Sequence, residues 1–141
     1  MHYICDAQDG KTWFRLETEA EAAREAELMR HAVDKYFRAE QEKATRSFQP
    51  ASKTFIEQEI GLKAHLQRVM PLFLTLRDDD GRPHVTAMLP PRGRESAVFR
   101  PILVGAANSD PFVDYDQAIR ALARHFAIGL ERARCYPYHR D

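Results

Sequence analysis

The chain is poor in the residues and patterns on which much recognisable chemistry depends. It has two cysteines, six glycines and no excess charge, with 21 basic side chains against 21 acidic ones in 141 residues. Balanced charge removes the dense positive field that a nucleic-acid backbone or an anionic bilayer requires, so neither is expected as a partner. The glycines are scattered. No G-x-x-x-x-G-K-[ST] and no G-x-G-x-x-G occurs, which argues against a P-loop or a dinucleotide site. G-x-S-x-G and H-E-x-x-H are missing as well. Long hydrophobic runs are also lacking. The longest, Val69 to Leu76, is interrupted by Pro71 and Thr75 and is too short to span a bilayer. The opening Met1-His2-Tyr3-Ile4-Cys5-Asp6 has neither the basic nor the apolar region of a secretory signal. Cys5 and Cys135, far apart in such a chain, read as reduced thiols rather than a disulfide. Together these absences predict a cytoplasmic protein.

What is present is globular in character. Hydrophobic residues make up 44% and charged residues 30%, and the length fits one domain over 1–141. His2–Gln8 and Lys11–Leu16 flank Asp9-Gly10, a tight-turn signal, and read as a β-hairpin. Thr18 with Glu21 forms a capping-box pattern. From Glu19 to Arg46 there is no Gly or Pro, and Ala22, Ala26, Met29, Val33 and Phe37 recur at helical spacing, so a single long helix is expected. Asp34–Arg38 and Glu42–Arg46 are supporting pairs one turn apart. Ser52–Met70 reads as a second helix that Gly61 weakens. Leu72–Arg77 and His84–Leu89 flank an Asp-rich turn and read as a second hairpin. Ala97–Val104 reads as an edge strand because of Pro101. Tyr115–Phe126, capped by Asp114 or Ser109, is a last helix, and Leu130–Tyr136 a last strand. The order predicts an α+β fold with a mostly antiparallel sheet.

Candidate chemistry is sparse. His2-x-x-Cys5 and Cys135-x-x-x-His139 hold zinc-type ligands, but Cys5 fits a small core residue on a strand, and no metal or cofactor is expected. Asp78-Asp79-Asp80 and the group Asp110, Asp114, Asp116 read as turn formers, a helix cap and an i,i+4 partner for Arg120. A thiol nucleophile would pair Cys5 or Cys135 with His84 or His125, and nothing in the spacing supports it. His31 and His65 read as half-exposed packing residues.

Arginine is the exception, at sixteen residues against five lysines. Arg92, Arg94 and Arg100, with Arg77 and Arg82 nearby, form a candidate phosphate- or nucleotide-binding loop, since arginine forks suit such anions. That is the alternative reading, a small enzyme or ligand binder. The leading expectation is a non-catalytic, protein-binding or self-associating module. A helix of that length would be about 42 Å long against a globule about 37 Å across. It would overhang the body and expose Leu28, Met29, Ala32, Val33, Tyr36 and Phe37 as a homodimer interface.

Overall fold

Asp9 and Gly10 both take positive φ, 61° and 71°, and the Lys11 N–H reaches the Gln8 carbonyl at 3.3 Å. This is the turn whose twist matches a hairpin, and it joins β1 (His2–Asp6) to β2 (Thr12–Arg15) as the sequence predicts. The structure is a computed structural model and describes residues 1–51, 54–91 and 99–138. Two helices follow the hairpin, α1 (Glu19–Met29) and α2 (Val33–Arg46), and then α3 (Phe55–Val69). β3 (Leu72–Arg77) and β4 (Pro83–Leu89) form the second hairpin, β5 (Ile102–Val104) pairs with β4, and α4 (Asp116–Phe126) closes the set. The result is an α+β fold with one antiparallel sheet in the order β1-β2-β3-β4-β5.

The sheet is covered on both faces. Leu72, Leu74 and Leu76 of β3 belong to one core cluster with Trp13, Val85, Leu103 and the Ala118, Ile119 and Leu122 face of α4. Phe73, between them, belongs to a second cluster with Ala22, Ala26, Val33 and Phe37 of the N-terminal helices. All of β3 is therefore buried, which explains a near-continuous apolar run where a half-solvated strand would alternate. Trp13 Nε1–H donates to the Ala118 carbonyl at 2.9 Å and fixes α4 on its face.

Three expectations are corrected and one is met. The long helix is two helices, broken at Arg30–Ala32. Arg30 sits in the left-handed region at φ 56°, and the His31 N–H turns back to the Ala26 carbonyl at 3.2 Å. The break lets both halves pack on one sheet face, burying Met29 and Phe37 to 1% and 2% exposure. A straight rod could not do this. Second, the expected second helix is present as α3 and continues through Gly61, where a Cβ would approach the Phe48 ring to 3.2 Å, so glycine here makes room for a packed ring. Third, Tyr115 caps α4 with no side-chain hydrogen bond, so neither Asp114 nor Ser109 is the cap. Fourth, the last strand is absent. Arg132–Arg134 forms a 3₁₀ turn, and Tyr136 alone bridges to Ile102. Leu130 and Cys135 are the buried positions there, five apart, which no strand face with period two can present together. In the described part of the third strand Ile102–Val104 is formed, at the sheet edge, and residues 92–98 lie outside the described residues.

Candidate functional site

The helix break carries a polar network into the core. Glu25 lies on the same stripe of α1 as Ala22, Ala26 and Met29 and is fully buried. A carboxylate so placed is costly unless it is paired and hydrogen-bonded. The sheet supplies the partners from the side chains that alternate with its leucines. Oε1 accepts from Thr75 Oγ1 at 2.9 Å and from Arg77 Nη2 at 2.6 Å, and Oε2 accepts from Thr86 Oγ1 at 2.5 Å. Arg77 also donates through Nε to Thr75 Oγ1 and through Nη1 to the Gly81 carbonyl, at 3.0 and 3.1 Å.

The network continues to His31. Its Nε2 lies 2.8 Å from Thr86 Oγ1. The single Thr86 proton points to Glu25, so Nε2–H must be the donor, and Nδ1 is left to accept from the Val33 N–H at 3.4 Å. The neutral ring thus caps the first turn of α2. Burial holds its pKa below the ordinary value, against the opposing pull of Glu25 and Asp34.

Beside this network lies an open cleft of 340 Å³. His31, Val33 and Tyr36 at the start of α2 form one wall, Phe73, Thr86 and Met88 belong to the sheet beneath, and Ile102 and Tyr136 stand at the β5 edge. Tyr36 and Tyr136 are 56% and 57% exposed. Asn108 lies on the rim with φ 61°, next to Ala107 with φ 55°. Non-glycine residues in the left-handed region cost about 1–3 kcal/mol each and concentrate at functional sites. Arg30 adds a third, next to His31 at the helix break.

A second cluster joins the Asp-rich turn to α4. His84 Nε2 lies 2.8 Å from Asp78 Oδ2, and His84 Nδ1 lies 2.9 Å from the Tyr115 hydroxyl. Asp78 Oδ1 accepts from the Asp80 and Arg82 N–H groups, so this aspartate builds its own turn. The His84 hydrogen bond and these backbone donors bring its pKa down to about 2. Burial first, then Asp114 and Asp78, raise the Tyr115 phenol, so the cluster holds no activated nucleophile. It clips the hairpin turn to the start of α4.

The sequence-predicted residues fall as follows. Met29, Val33 and Phe37 are core, whereas Leu28, Ala32 and Tyr36 are exposed. Tyr36, Ala32 and Val33 line the cleft. Arg77 does not join an arginine cluster, because Glu25 holds it inside. Arg100 is exposed, and Arg92 and Arg94 lie outside the described residues, as does His139. Among the described residues no group of three or more His, Cys, Asp or Glu is placed to hold a metal ion. Cys135 is fully buried, and burial pushes its thiol up to about 12, far from a reactive thiolate. No helix among the described residues is long and apolar enough to cross a membrane. Asp116 pairs with Arg120 at 2.9 Å and Asp34 with Arg38 at 3.2 Å, as their spacing predicts.

The sequence reading missed Glu25 and His31. The available signal was positional. Glu25 stands three residues after Ala22 and four before Met29, which places a carboxylate on the apolar stripe and demands a buried partner.

No family model, no curated protein and no solved structure matches the chain. Function therefore has to be argued from the site itself.

Proposed function

We propose that this protein is a non-catalytic binding module and that the cleft at the helix break is its recognition site. The observation that carries this reading is the pairing of an apolar, aromatic-rimmed cleft of 340 Å³ with a fully satisfied polar network beside it. Small-molecule sites are concave, mostly apolar, and oriented by a few fixed polar groups, with volumes from about 300 to 1,000 Å³. The cleft is at the small end of that range. The network orients rather than reacts, since the Thr86 proton is held by Glu25 and its hydroxyl is 3% exposed with the rest of the residue.

The test is an amide NMR titration with p-cresol at neutral pH. Saturable shifts at Val33, Met88 and Ile102, lost in the Tyr36→Ala/Tyr136→Ala double variant, are the expected result. Both tyrosines are exposed, so the variant keeps its core. The absence of saturable binding by p-cresol would contradict the reading.

Self-association is a second reading, favoured by Leu28 at 41% exposure and Tyr36 at 56%. Its test is light scattering. A homodimer using this surface would revert in Tyr36→Arg to the chain mass of 16.3 kDa, and a wild-type mass of 16.3 kDa at micromolar concentration would end it. A phosphate or nucleotide ligand on Arg92, Arg94 and Arg100 has its own test, a rise in melting temperature with pyrophosphate that Arg92→Ala/Arg94→Ala removes.

A further inference from the structure

We infer that the cleft selects a small, electrically neutral, aromatic ligand. The inference rests on the binding reading above and names its ligand class. Among the described residues no side chain lining the cleft carries a charge at neutral pH, because His31, the one basic member among them, is held neutral by burial and by its two hydrogen bonds. An ionic ligand would lose its hydration without gaining a counter-ion, and burying an unpaired charge is strongly unfavourable. The buried charge behind Thr86 is the Glu25 carboxylate, and both of its oxygens are taken by Arg77, Thr75 and Thr86. A cationic ligand therefore finds no free anion there. An anionic ligand meets that carboxylate across a single hydroxyl.

The aromatic preference follows from what the cleft offers. Tyr36 and Tyr136 are exposed aromatic residues of its lining, Phe73 lies buried beneath them, and Met88 adds a thioether. Rings favour offset or edge contact with another ring, and sulfur favours ring edges, by amounts beyond simple area burial. Phe73 is 1% exposed and is held by Phe37, with ring centroids 5.1 Å apart, so it forms a fixed, buried floor under the cleft. Tyr36, Tyr136 and Asn108 among the lining residues carry hydroxyl and amide groups, which can hydrogen-bond a phenol or a ring nitrogen without carrying charge. The volume limits the ligand to about one or two rings.

The experiment compares p-cresol with three shape-matched relatives by the same NMR titration: 4-methylbenzoate, 4-methylbenzylammonium and 4-methylcyclohexanol. p-Cresol is expected to bind at least about tenfold more tightly than either ion, as an uncompensated charge demands, and more tightly than the saturated alcohol. Either ion binding as tightly as p-cresol would overturn the neutral preference. Equal affinity for 4-methylcyclohexanol would overturn the aromatic one. In both cases the binding reading itself would stand. If none of the four binds, both readings fall together.

Discussion

The imidazole of His31 and the hydroxyl of Thr86, 55 residues apart in the chain, meet at 2.8 Å, with His31 as the donor. This contact ties the break between α1 and α2 to the middle of the sheet. Thr86 can play that part only because its own proton is committed to Glu25. One buried chain of hydrogen bonds therefore runs from Arg77 through Glu25 and Thr86 to the helix break.

The chain's anchor is the ion pair of Glu25 and Arg77. Removing one member strands the other in the core, which costs about 3–5 kcal/mol. Arg77→Met should lower the denaturant midpoint accordingly. The double variant Glu25→Leu/Arg77→Met should recover much of that loss, because a buried pair replaced by apolar residues is often neutral. Chemical unfolding of the two variants checks the order. A double variant less stable than Arg77→Met would show that the pair contributes net stability of its own.

Arg30→Gly distinguishes a broken helix from a continuous one. In a helix interior the change would cost roughly 1 kcal/mol. At φ 56° it relieves a left-handed residue of its Cβ clash, so stability should hold or rise by up to about 1 kcal/mol. A fall in melting temperature would argue for the continuous helix.

How much of this was legible beforehand differs between fold and site. The Asp9-Gly10 hairpin, the Thr18–Glu21 capping box and the α4 face follow from local rules, and each is present. The helix break does not follow from local rules, because no Gly or Pro marks it and the sequence Met29-Arg30-His31-Ala32 continues a helix on propensity alone. Tertiary burial of Ala26, Val33 and Phe37 in one cluster with Phe73 of the sheet decides it. The cleft was invisible for the same reason, since it exists only because the helix stops there. Ala32, Val33 and Tyr36 were singled out as apolar surplus, and they line the cleft.

His31 makes stability depend on pH in a definite direction. Its folded pKa lies below its ordinary value of 6.5, so the unfolded chain binds the proton more readily. Its contribution is present above that ordinary value and is lost as pH falls toward the lower folded one. Protonation would also place an N–H on Nδ1 facing the Val33 N–H. Urea unfolding of wild type and His31→Gln across mildly acidic pH should show a steeper loss in wild type. Parallel curves would remove His31 as the cause.

Asp78 acts lower on the pH scale. Its folded pKa of about 2 lies below the ordinary 3.8, so its stabilisation is present above that value and disappears as pH falls toward 2. Asp78→Asn should be less stable than wild type at neutral pH, and the gap should narrow toward pH 2. A constant gap measured by thermal unfolding at several pH values would contradict the assignment.

The most direct test of the cleft as the binding site is the set of intermolecular NOEs from bound p-cresol. They should run to the Met88 methyl, the Val33 methyls and the Phe73 ring. Large apolar side chains are exposed elsewhere, at Phe55, Ile56 and Ile60 on α3 and at Val113. NOEs to those residues instead, with none to Met88 or Val33, would contradict the account.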